Sequence, residues 1–336
     1  MGYTGGKYRT GKAFVQALVD HVGEGWETSE YFEPFCGALG LTYHVVNHER
    51  GPPAQLHLSD TNALLVELWQ ASIMDMWDPP PTIPTKHEFL VCKRSPLSGV
   101  RWRKLKTETD MLVTEQDFVQ SDTFPRPLTK AWIGWVGLVA CFRGNFMGQY
   151  EHNAKKIAWA SASIRSVIES MRRWRDRLSF SVGSYTETLP NLVKKDISYN
   201  LIKDTAYSTK ATAYEQNDDT AYNLVGDTAY KKEKERPGGK VMLKPKNKTI
   251  IVCDPPYMNC SGYRFEFDAD LFWNQHLVQM SREAQVYVCE YLHNVVQLNE
   301  PRNKVIWQQS AVHGWMDRYS SDKVRLEDCL VWIDPS

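Results

Sequence analysis

The stretch TIIVCDPPY, from Thr249 to Tyr257, decides the fold and indicates the chemistry of this chain. Its apolar half has the composition of a buried strand, so its polar half lies at the carboxyl end of that strand. An acidic residue, two prolines and an aromatic ring in this order are typical of a site that holds an exocyclic amine of a flipped base against a methyl donor. Asp254 would accept a hydrogen bond from the amine, the carbonyl of Pro255 would accept another, and the ring of Tyr257 would stack on the base. The plainer alternative is a strand that ends in a Pro-Pro turn, with Asp254 capping nearby N–H groups.

Composition places the protein in an ordinary globular class. The chain has 336 residues, of which 42% are apolar and 24% are charged, and its formal net charge is zero. Any contact with nucleic acid must therefore come from local clusters of positive charge rather than from the field of the whole protein. The length allows one elaborated domain or two modest ones.

Cysteine usage and hydropathy indicate the compartment. Seven cysteines are scattered along the chain without a CxxC pair. This favours reduced thiols and argues against a disulfide framework or a zinc site, so we predict no metal. The first residues are polar and glycine-rich, unlike a signal peptide, and the longest apolar stretch, 131–142, is too short to span a bilayer. We therefore expect a soluble, cytoplasmic protein with no membrane partner.

Short β-type runs alternate with helical patterns along much of the chain. Several runs are continuously apolar, which suits strands covered on both faces. The alternation predicts a Rossmann-like, doubly wound α/β sheet, in which ligands bind at the carboxyl ends of the strands near the point where strand order reverses. The predicted strands are Glu30–Phe35, Gln55–Ser59, Leu178–Val182, Thr249–Cys253, Ala284–Cys289 and Lys304–Gln309, with Asp328–Ile333 as a seventh. The predicted helices are Gly11–His21, Leu39–Glu49, Asn62–Met76, Ala158–Arg177 and Ala269–Arg282.

Two segments interrupt this alternation. Residues 78–156 have no strand–helix rhythm and are rich in basic and aromatic side chains, so we interpret them as an inserted second domain. Residues 190–247 are polar and repeat the unit Thr-Ala-Tyr every seven or eight residues. A flexible insertion is the favoured interpretation of this repeat, and an additional DNA or partner contact through its tyrosines is the alternative. The remaining residues, 1–77 and 157–336, form the predicted catalytic domain around the second insertion.

The end of the first predicted strand has the features of a nucleoside-binding turn. It reads EPFCGALG from Glu33 to Gly40. Glycine lets a ligand approach the backbone closely, and the helix that follows supplies free N–H groups. Asp60 ends the second predicted strand, where an acidic residue is placed to bind ribose hydroxyls. A full GxGxxG is unnecessary without a phosphate to bind, which suits a ligand such as S-adenosylmethionine.

Six short motifs occur in a characteristic order along the chain. They are YTGGK at 3–7, EPFCG at 33–37, LSDTN at 58–62, CFRGNFMGQY at 141–150, CDPPY at 253–257 and VYVCEY at 286–291. Together they resemble the motifs of Dam-type, alpha-class adenine-N6 DNA methyltransferases, particularly the phage and large-virus branch. The Thr-Ala-Tyr repeat has no recognised counterpart in that family.

The resemblance implies a site-specific enzyme that transfers a methyl group from S-adenosylmethionine to the N6 amine of an adenine flipped out of double-stranded DNA. Transfer would be in line, without a covalent enzyme intermediate, and most of the rate would come from positioning and preorganised electrostatics. The insertion at 78–156 would then be a target-recognition domain. The implied catalytic residues are Asp254, Pro255, Pro256 and Tyr257. The implied donor-binding residues are Tyr3, Gly6, Lys7, Glu33, Pro34, Phe35, Cys36, Gly37, Asp60, Asn62, Ser184 and Asp254.

Basic residues cluster inside the predicted insertion. Residues 93–106 contain six positive charges and one tryptophan within fourteen residues, and we call them the basic cluster. Such a cluster can neutralise phosphates, and arginine can also bind guanine edges. A solvated loop is the better explanation for any single residue, but the cluster as a whole favours DNA contact. The predicted DNA-binding residues are Arg101, Arg103, Lys104, Arg143 and Asn145.

Three alternatives stay open from the sequence. Cytosine-N4 methylation uses the same chemistry on a similar fold, although it more often has serine at the position of Asp254. The active-site residues do not distinguish adenine in DNA from adenine in RNA. A catalytically idle methyltransferase fold could act as a DNA-binding module, but the intact Asp254 and donor motif argue against it. Neither the recognition sequence nor the oligomeric state follows from the sequence.

Overall fold

Seven strands form one mixed sheet in the described part of the chain. The computed structural model describes residues 7–95, 129–142, 145–189, 249–258, 267–310 and 327–335. The order of the strands across the sheet is β3-β2-β1-β4-β5-β7-β6. They are β1 (Glu30–Glu33), β2 (Gln55–Asp60), β3 (Leu178–Val182), β4 (Thr249–Cys253), β5 (Gln285–Tyr291), β6 (Asn303–Ser310) and β7 (Glu327–Ile333).

The direction of the strands identifies the ligand-binding edge. Strands β1 to β5 pair in parallel, whereas β7 is antiparallel to both of its neighbours, β5 and β6. Because β1 pairs with both β2 and β4, the strand order reverses between β1 and β4. Ligands in open α/β sheets bind beyond the carboxyl ends of the strands at such a point. The predicted doubly wound, Rossmann-like α/β class is confirmed.

Helices connect the strands and cover the sheet. They are α1 (Gly11–Val22), α2 (Gly40–Val46), α3 (Ala63–Trp69), α4 (Lys86–Arg94), α5 (Lys130–Val139), α6 (Ala154–Arg172), α7 (Tyr185–Thr188), α8 (Ala269–Leu271), α9 (Leu277–Glu283) and α10 (Leu292–Leu298). Two predicted helices contain π-helical turns, since Gln70–Met74 continues α3 and Phe272–His276 joins α8 to α9. The helix predicted to begin at Ala158 begins at Ala154, because Asn153 caps it by accepting backbone N–H bonds.

Two helices, α4 and α5, lie inside the predicted insertion at 78–156. The α4 helix begins with a capping box between Thr85 and Glu88. The α5 helix packs on both α4 and α3, and Gly134 permits its close approach to α3, since a Cβ there would lie 2.2 Å from Leu64 O. All described residues belong to one compact unit. The domain bounds at 78–156 stay a prediction, as does the role of the repeat at 190–247, which lies outside the described residues.

The core lies on both faces of the sheet. Along β4, Ile250 and Val252 belong to one buried cluster, whereas Ile251 and Cys253 belong to a second. Successive side chains of a strand point to opposite faces, so this alternation shows that β4 is covered on both sides. Each fully buried aliphatic side chain of this size stabilises the fold by about 1.5–3 kcal/mol. No helix in the described ranges is long and apolar enough to cross a membrane.

Candidate active site

The carboxyl ends of four parallel strands bring the predicted site residues together. Strand β1 ends at Glu33, β2 ends at Asp60, β4 ends just before Asp254, and β5 ends at Tyr291. Since these strands are neighbours and run in the same direction, the four ends meet at one edge of the sheet. Residues that are more than two hundred positions apart in the sequence therefore form one site.

Asp254 forms a buried ion pair with Lys7. The Nζ atom of Lys7 lies 2.8 Å from Asp254 Oδ1, and the two side chains are only 6% and 15% exposed. Burial raises the pKa of Asp254, and the lysine charge opposes this rise. Burial also disfavours the charge on Lys7, but the nearby carboxylates of Asp254 and Asp328 help to outweigh it, so the pKa of Lys7 is raised. The structure thus places the charged end of Lys7 at the predicted catalytic carboxylate.

The N-terminal segment reaches this position because it packs on the start of α2. A Cβ at Gly40 would lie 2.9 Å from the backbone nitrogen of Tyr8, so glycine is required for this close approach. The ring of Tyr8 lies 5.1 Å from that of Tyr43, and His44 Nε2 lies 2.7 Å from the carbonyl oxygen of Tyr8. These contacts hold the backbone of Lys7 beside the ends of β1 and β4.

The ring of Tyr257 also contacts the charged end of Lys7. Tyr257 is 6% exposed, and Lys7 Nζ lies 4.4 Å from the centroid of its ring, within the range of a cation–π interaction. Tyr291 contacts this ring edge-on at 4.5 Å and 84°, and the Tyr257 hydroxyl donates to Asp328 Oδ1 at 3.4 Å. One nitrogen that carries hydrogens therefore lies between a carboxylate and an aromatic ring.

Asp60 organises the turn that follows β1. Its Oδ2 accepts the backbone N–H of Gly37 at 2.9 Å, and its Oδ1 accepts that of Asn62 at 2.8 Å. Burial raises the pKa of Asp60, and these two N–H bonds oppose the rise. Gly37 has φ of 45°, in the left-handed region that glycine adopts most easily. Each carboxylate oxygen can still accept a second hydrogen bond, so Asp60 can hold the turn and bind a hydroxyl at once.

Glu33 is a buried carboxyl group at the end of β1. It is 2% exposed, and its Oε2 accepts hydrogen bonds from Thr42 at 2.6 Å and Tyr31 at 2.9 Å. Burial raises its pKa to about 8, although these two hydrogen bonds oppose the rise. The charges of Asp254 and Asp60 raise it further. Three carboxyl groups therefore share this edge of the sheet and influence one another's protonation.

An aromatic cluster lies on the other side of the turn. The ring of Phe35 lies 5.5 Å from Tyr185, 5.8 Å from Phe267 and 6.0 Å from Phe272. Ser184 precedes Tyr185 and completes a capping box with Glu187 at the start of α7. The predicted donor residue Ser184 is thus the N-cap of α7, and the aromatic surface comes from its neighbour Tyr185.

The other predicted donor residues flank this turn. Cys36 is 3% exposed and Asn62 is 5% exposed. Pro34 and Pro255 are buried, whereas Pro256 is half-buried. Burial raises the pKa of the Cys36 thiol well above its usual value, so this cysteine is a buried, neutral side chain.

Several predicted residues lie outside the described part of the chain. Among the predicted DNA-binding residues, only Asn145 is described, and it is exposed in the turn 145–148. The remaining residues are Tyr3, Gly6, Arg101, Arg103, Lys104 and Arg143. Among the described residues, no group of three His, Cys, Asp or Glu side chains is arranged to hold a metal ion.

Sequence reasoning did not identify three residues around Tyr257 as parts of the site. Asp328 comes from the antiparallel strand β7, while Glu290 and Asn294 lie at the junction of β5 and α10. Glu290 is within the VYVCEY motif, and this was the one available signal for it. The other two occur in no motif, and only the tertiary fold brings them near Tyr257.

Comparisons with known proteins give little further information. No family model matches the chain, and no curated protein matches it. Two crystal structures of the rRNA methyltransferase aviRa from Streptomyces viridochromogenes, at 2.4 Å and 1.5 Å, are similar at 11% and 10% identity. The likeness covers 97% and 98% of this chain and 84% and 86% of theirs, with a TM-score of 0.35 in both cases. At that level it carries no functional argument.

Proposed function

We propose that the protein is an S-adenosylmethionine-dependent methyltransferase that modifies the N6 amine of adenine in double-stranded DNA. One observation carries this proposal. The nitrogen of Lys7 lies 2.8 Å from Asp254 Oδ1 and 4.4 Å from the centroid of the Tyr257 ring. In this arrangement a nitrogen donates to a carboxylate beside an aromatic ring, as the N6 amine of a flipped adenine would do.

The target amine and Lys7 need the same position. One N6 hydrogen would be donated to Asp254 and the other to the carbonyl of Pro255, while the base would stack on Tyr257. Binding of the base therefore requires the side chain of Lys7 to withdraw from Asp254. Asp254 is preorganised for this exchange because it is already held as an acceptor in a buried setting.

The turn after β1 fits the methyl donor. Asp60 has lone pairs left for ribose hydroxyls, and the half-buried Phe35 offers an aromatic surface for a purine. The carboxylate of Asp60 makes this edge favourable for a positively charged ligand, whereas Glu33, with a pKa of about 8, is largely protonated at neutral pH and Asp254 is paired with Lys7. When bound, S-adenosylmethionine would supply an electrophilic methyl group carried on a sulfonium.

The chain's own residues would act by positioning and charge stabilisation. Asp254 accepts a hydrogen bond from one N6 hydrogen, and this directs the nitrogen lone pair towards the methyl group. Positive charge develops on N6 during transfer, and Asp254 and the Tyr257 ring stabilise it. Burial raises the thiol pKa of Cys36, Cys253 and Cys289, so none of these three cysteines is activated as a nucleophile. The arrangement favours direct transfer without a covalent enzyme intermediate.

The choice of adenine and DNA is supported by the sequence motifs. The motif at 253–257 has aspartate rather than serine, which favours adenine over cytosine. The motif at 141–150 and the basic cluster at 93–106 favour DNA as the substrate. We therefore assign target recognition to residues 78–156.

Identification of the methylated nucleoside tests this function. The protein would be incubated with methyl-labelled S-adenosylmethionine and either unmethylated DNA or total RNA, and each product digested to nucleosides. We expect N6-methyl-2′-deoxyadenosine from DNA and no labelled nucleoside with Asp254→Ala. Label only in RNA, label in N4-methylcytosine, or no label from any substrate would contradict the proposal.

A further inference from the structure

We propose that Glu290 and Asn294 are positioning residues that hold residues 254–258, here called the catalytic loop, in the geometry for methyl transfer. This inference rests on the proposed function. Glu290 is the penultimate residue of β5, and Asn294 lies in the first turn of α10. They are 0% and 1% exposed, respectively.

Both side chains form hydrogen bonds with the backbone of Met258. Glu290 Oε2 accepts the N–H of Met258 at 3.1 Å, and Asn294 Nδ2 donates to the carbonyl oxygen of Met258 at 3.1 Å. Asn294 Nδ2 also donates to Glu290 Oε1 at 2.9 Å, which joins the two side chains. We call these hydrogen bonds of Glu290 and Asn294 to Met258 the clamp. Met258 directly follows Tyr257, so the clamp fixes the end of the catalytic loop.

Capping the start of α10 does not by itself explain the hydrogen bonds of Glu290 and Asn294. One bond of Glu290, from the N–H of Tyr291 at 2.8 Å, does serve its own helix. The bonds to Met258 leave that helix and cross to a different strand end. Asn294 Oδ1 is buried and has no hydrogen-bond partner among the described residues, which lowers stability. A purely structural role gives no reason to bury an amide there, whereas a clamp on Met258 needs its NH₂ group.

The clamp supports the ring of Tyr257 in two ways. It fixes the residue after Tyr257, and Tyr291, whose N–H Glu290 accepts, contacts the Tyr257 ring at 4.5 Å. A loosened loop would displace both Tyr257 and Asp254 relative to the donor. Small misplacements of reacting groups reduce rates strongly, whereas the donor turn after β1 does not depend on this clamp.

The test compares Glu290→Gln and Asn294→Leu with the surface variant Glu283→Gln in the full-length protein. Glutamine loses one anionic acceptor oxygen, and leucine keeps the branched shape of asparagine, with larger methyl groups, but donates no hydrogen bond. We expect the amide hydrogen of Met258 to exchange at least about tenfold faster in both variants. We also expect the single-turnover methylation rate to fall by roughly 10- to 100-fold, with donor Kd within about twofold of wild type. Glu283→Gln should change neither quantity.

Several results would contradict the proposed role of Glu290 and Asn294. Unchanged Met258 exchange in both variants would overturn it, and so would faster exchange with a wild-type transfer rate. A parallel loss of donor affinity would indicate general loosening rather than positioning. If the wild-type protein transfers no methyl group, the proposed function fails and the catalytic role of the clamp falls with it. The exchange of Met258 would still show whether Glu290 and Asn294 hold the loop.

Discussion

Replacing Glu33 with glutamine should stabilise the protein above neutral pH and leave its stability nearly unchanged at pH 5. Burial raises the pKa of Glu33 to about 8, against an ordinary value of 4.5. Glu33 in the unfolded chain therefore loses its proton near pH 4.5, whereas in the folded protein it keeps the proton to about pH 8. The unfolded state is favoured progressively as pH rises through this window, so the free energy of unfolding falls.

The size of the effect follows from the separation of the two pKa values. Each pH unit between them corresponds to about 1.4 kcal/mol, so this one group lowers wild-type stability by roughly 4–5 kcal/mol by pH 8.5. Glutamine has no charge to bury, and its oxygen can accept the hydrogen bonds from Thr42 and Tyr31. We expect Glu33→Gln to be more stable than wild type by roughly 4–5 kcal/mol at pH 8.5 and by less than about 1 kcal/mol at pH 5.

Urea denaturation at pH 5, 6.5 and 8.5 measures this difference. Glu27→Gln is the matched control, because hydrogen bonding to Arg50 lowers the pKa of the exposed Glu27. This control should show no stabilisation at high pH. If the difference between Glu33→Gln and wild type does not change from pH 5 to pH 8.5, Glu33 does not have a raised pKa. The electrostatic description of this edge of the sheet would then be wrong.

Three further results are expected. Asp60→Ala should weaken donor binding at least about tenfold while leaving DNA affinity within about twofold, and unchanged donor affinity by calorimetry would place the donor elsewhere. Lys7→Met should destabilise the fold by about 3 kcal/mol in urea at pH 7, because it leaves a buried carboxylate unpaired; a change below about 1 kcal/mol would contradict a buried pair. Reversing the charges of Arg101, Arg103 and Lys104 should weaken the dependence of DNA affinity on salt. The slope of log binding constant against log salt concentration should fall by about one per lost phosphate contact. An unchanged slope would show that the basic cluster is a solvated loop.

The sheet could be predicted because its strands are buried on both faces. A run such as TIIVC, from Thr249 to Cys253, has no polar position to expose, so periodicity and length indicate a central strand. The π-helical turn at Phe272–His276 has no comparable sequence signal, and its helix was predicted as continuous. Helices α4 and α5 were missed because basic and proline-rich neighbours hide their patterns, although the Thr85 capping box was a local signal.

The residues of the site could be predicted individually, but their pairing could not. Local chemistry marks Asp254 and Asp60 at strand ends, where ligands bind. The ion pair of Lys7 with Asp254 joins residues 247 positions apart, and only the packing of the N-terminal segment on α2 creates it. Asp328 reaches Tyr257 from an antiparallel strand whose place in the sheet no local pattern reveals.

The central claim is that Asp254 acts on the nitrogen to be methylated, and the single-turnover methylation rate of Asp254→Asn tests it most directly. Asparagine preserves the size of the side chain but removes the carboxylate charge. We expect the rate to fall at least about 100-fold, as for loss of a key charge-stabilising group, with donor Kd within about twofold of wild type. The exposed variant Asp176→Asn, whose side chain is 96% exposed, is the control and should be unchanged. A rate for Asp254→Asn within about threefold of wild type, with N6-methyladenine still formed, would contradict the claim.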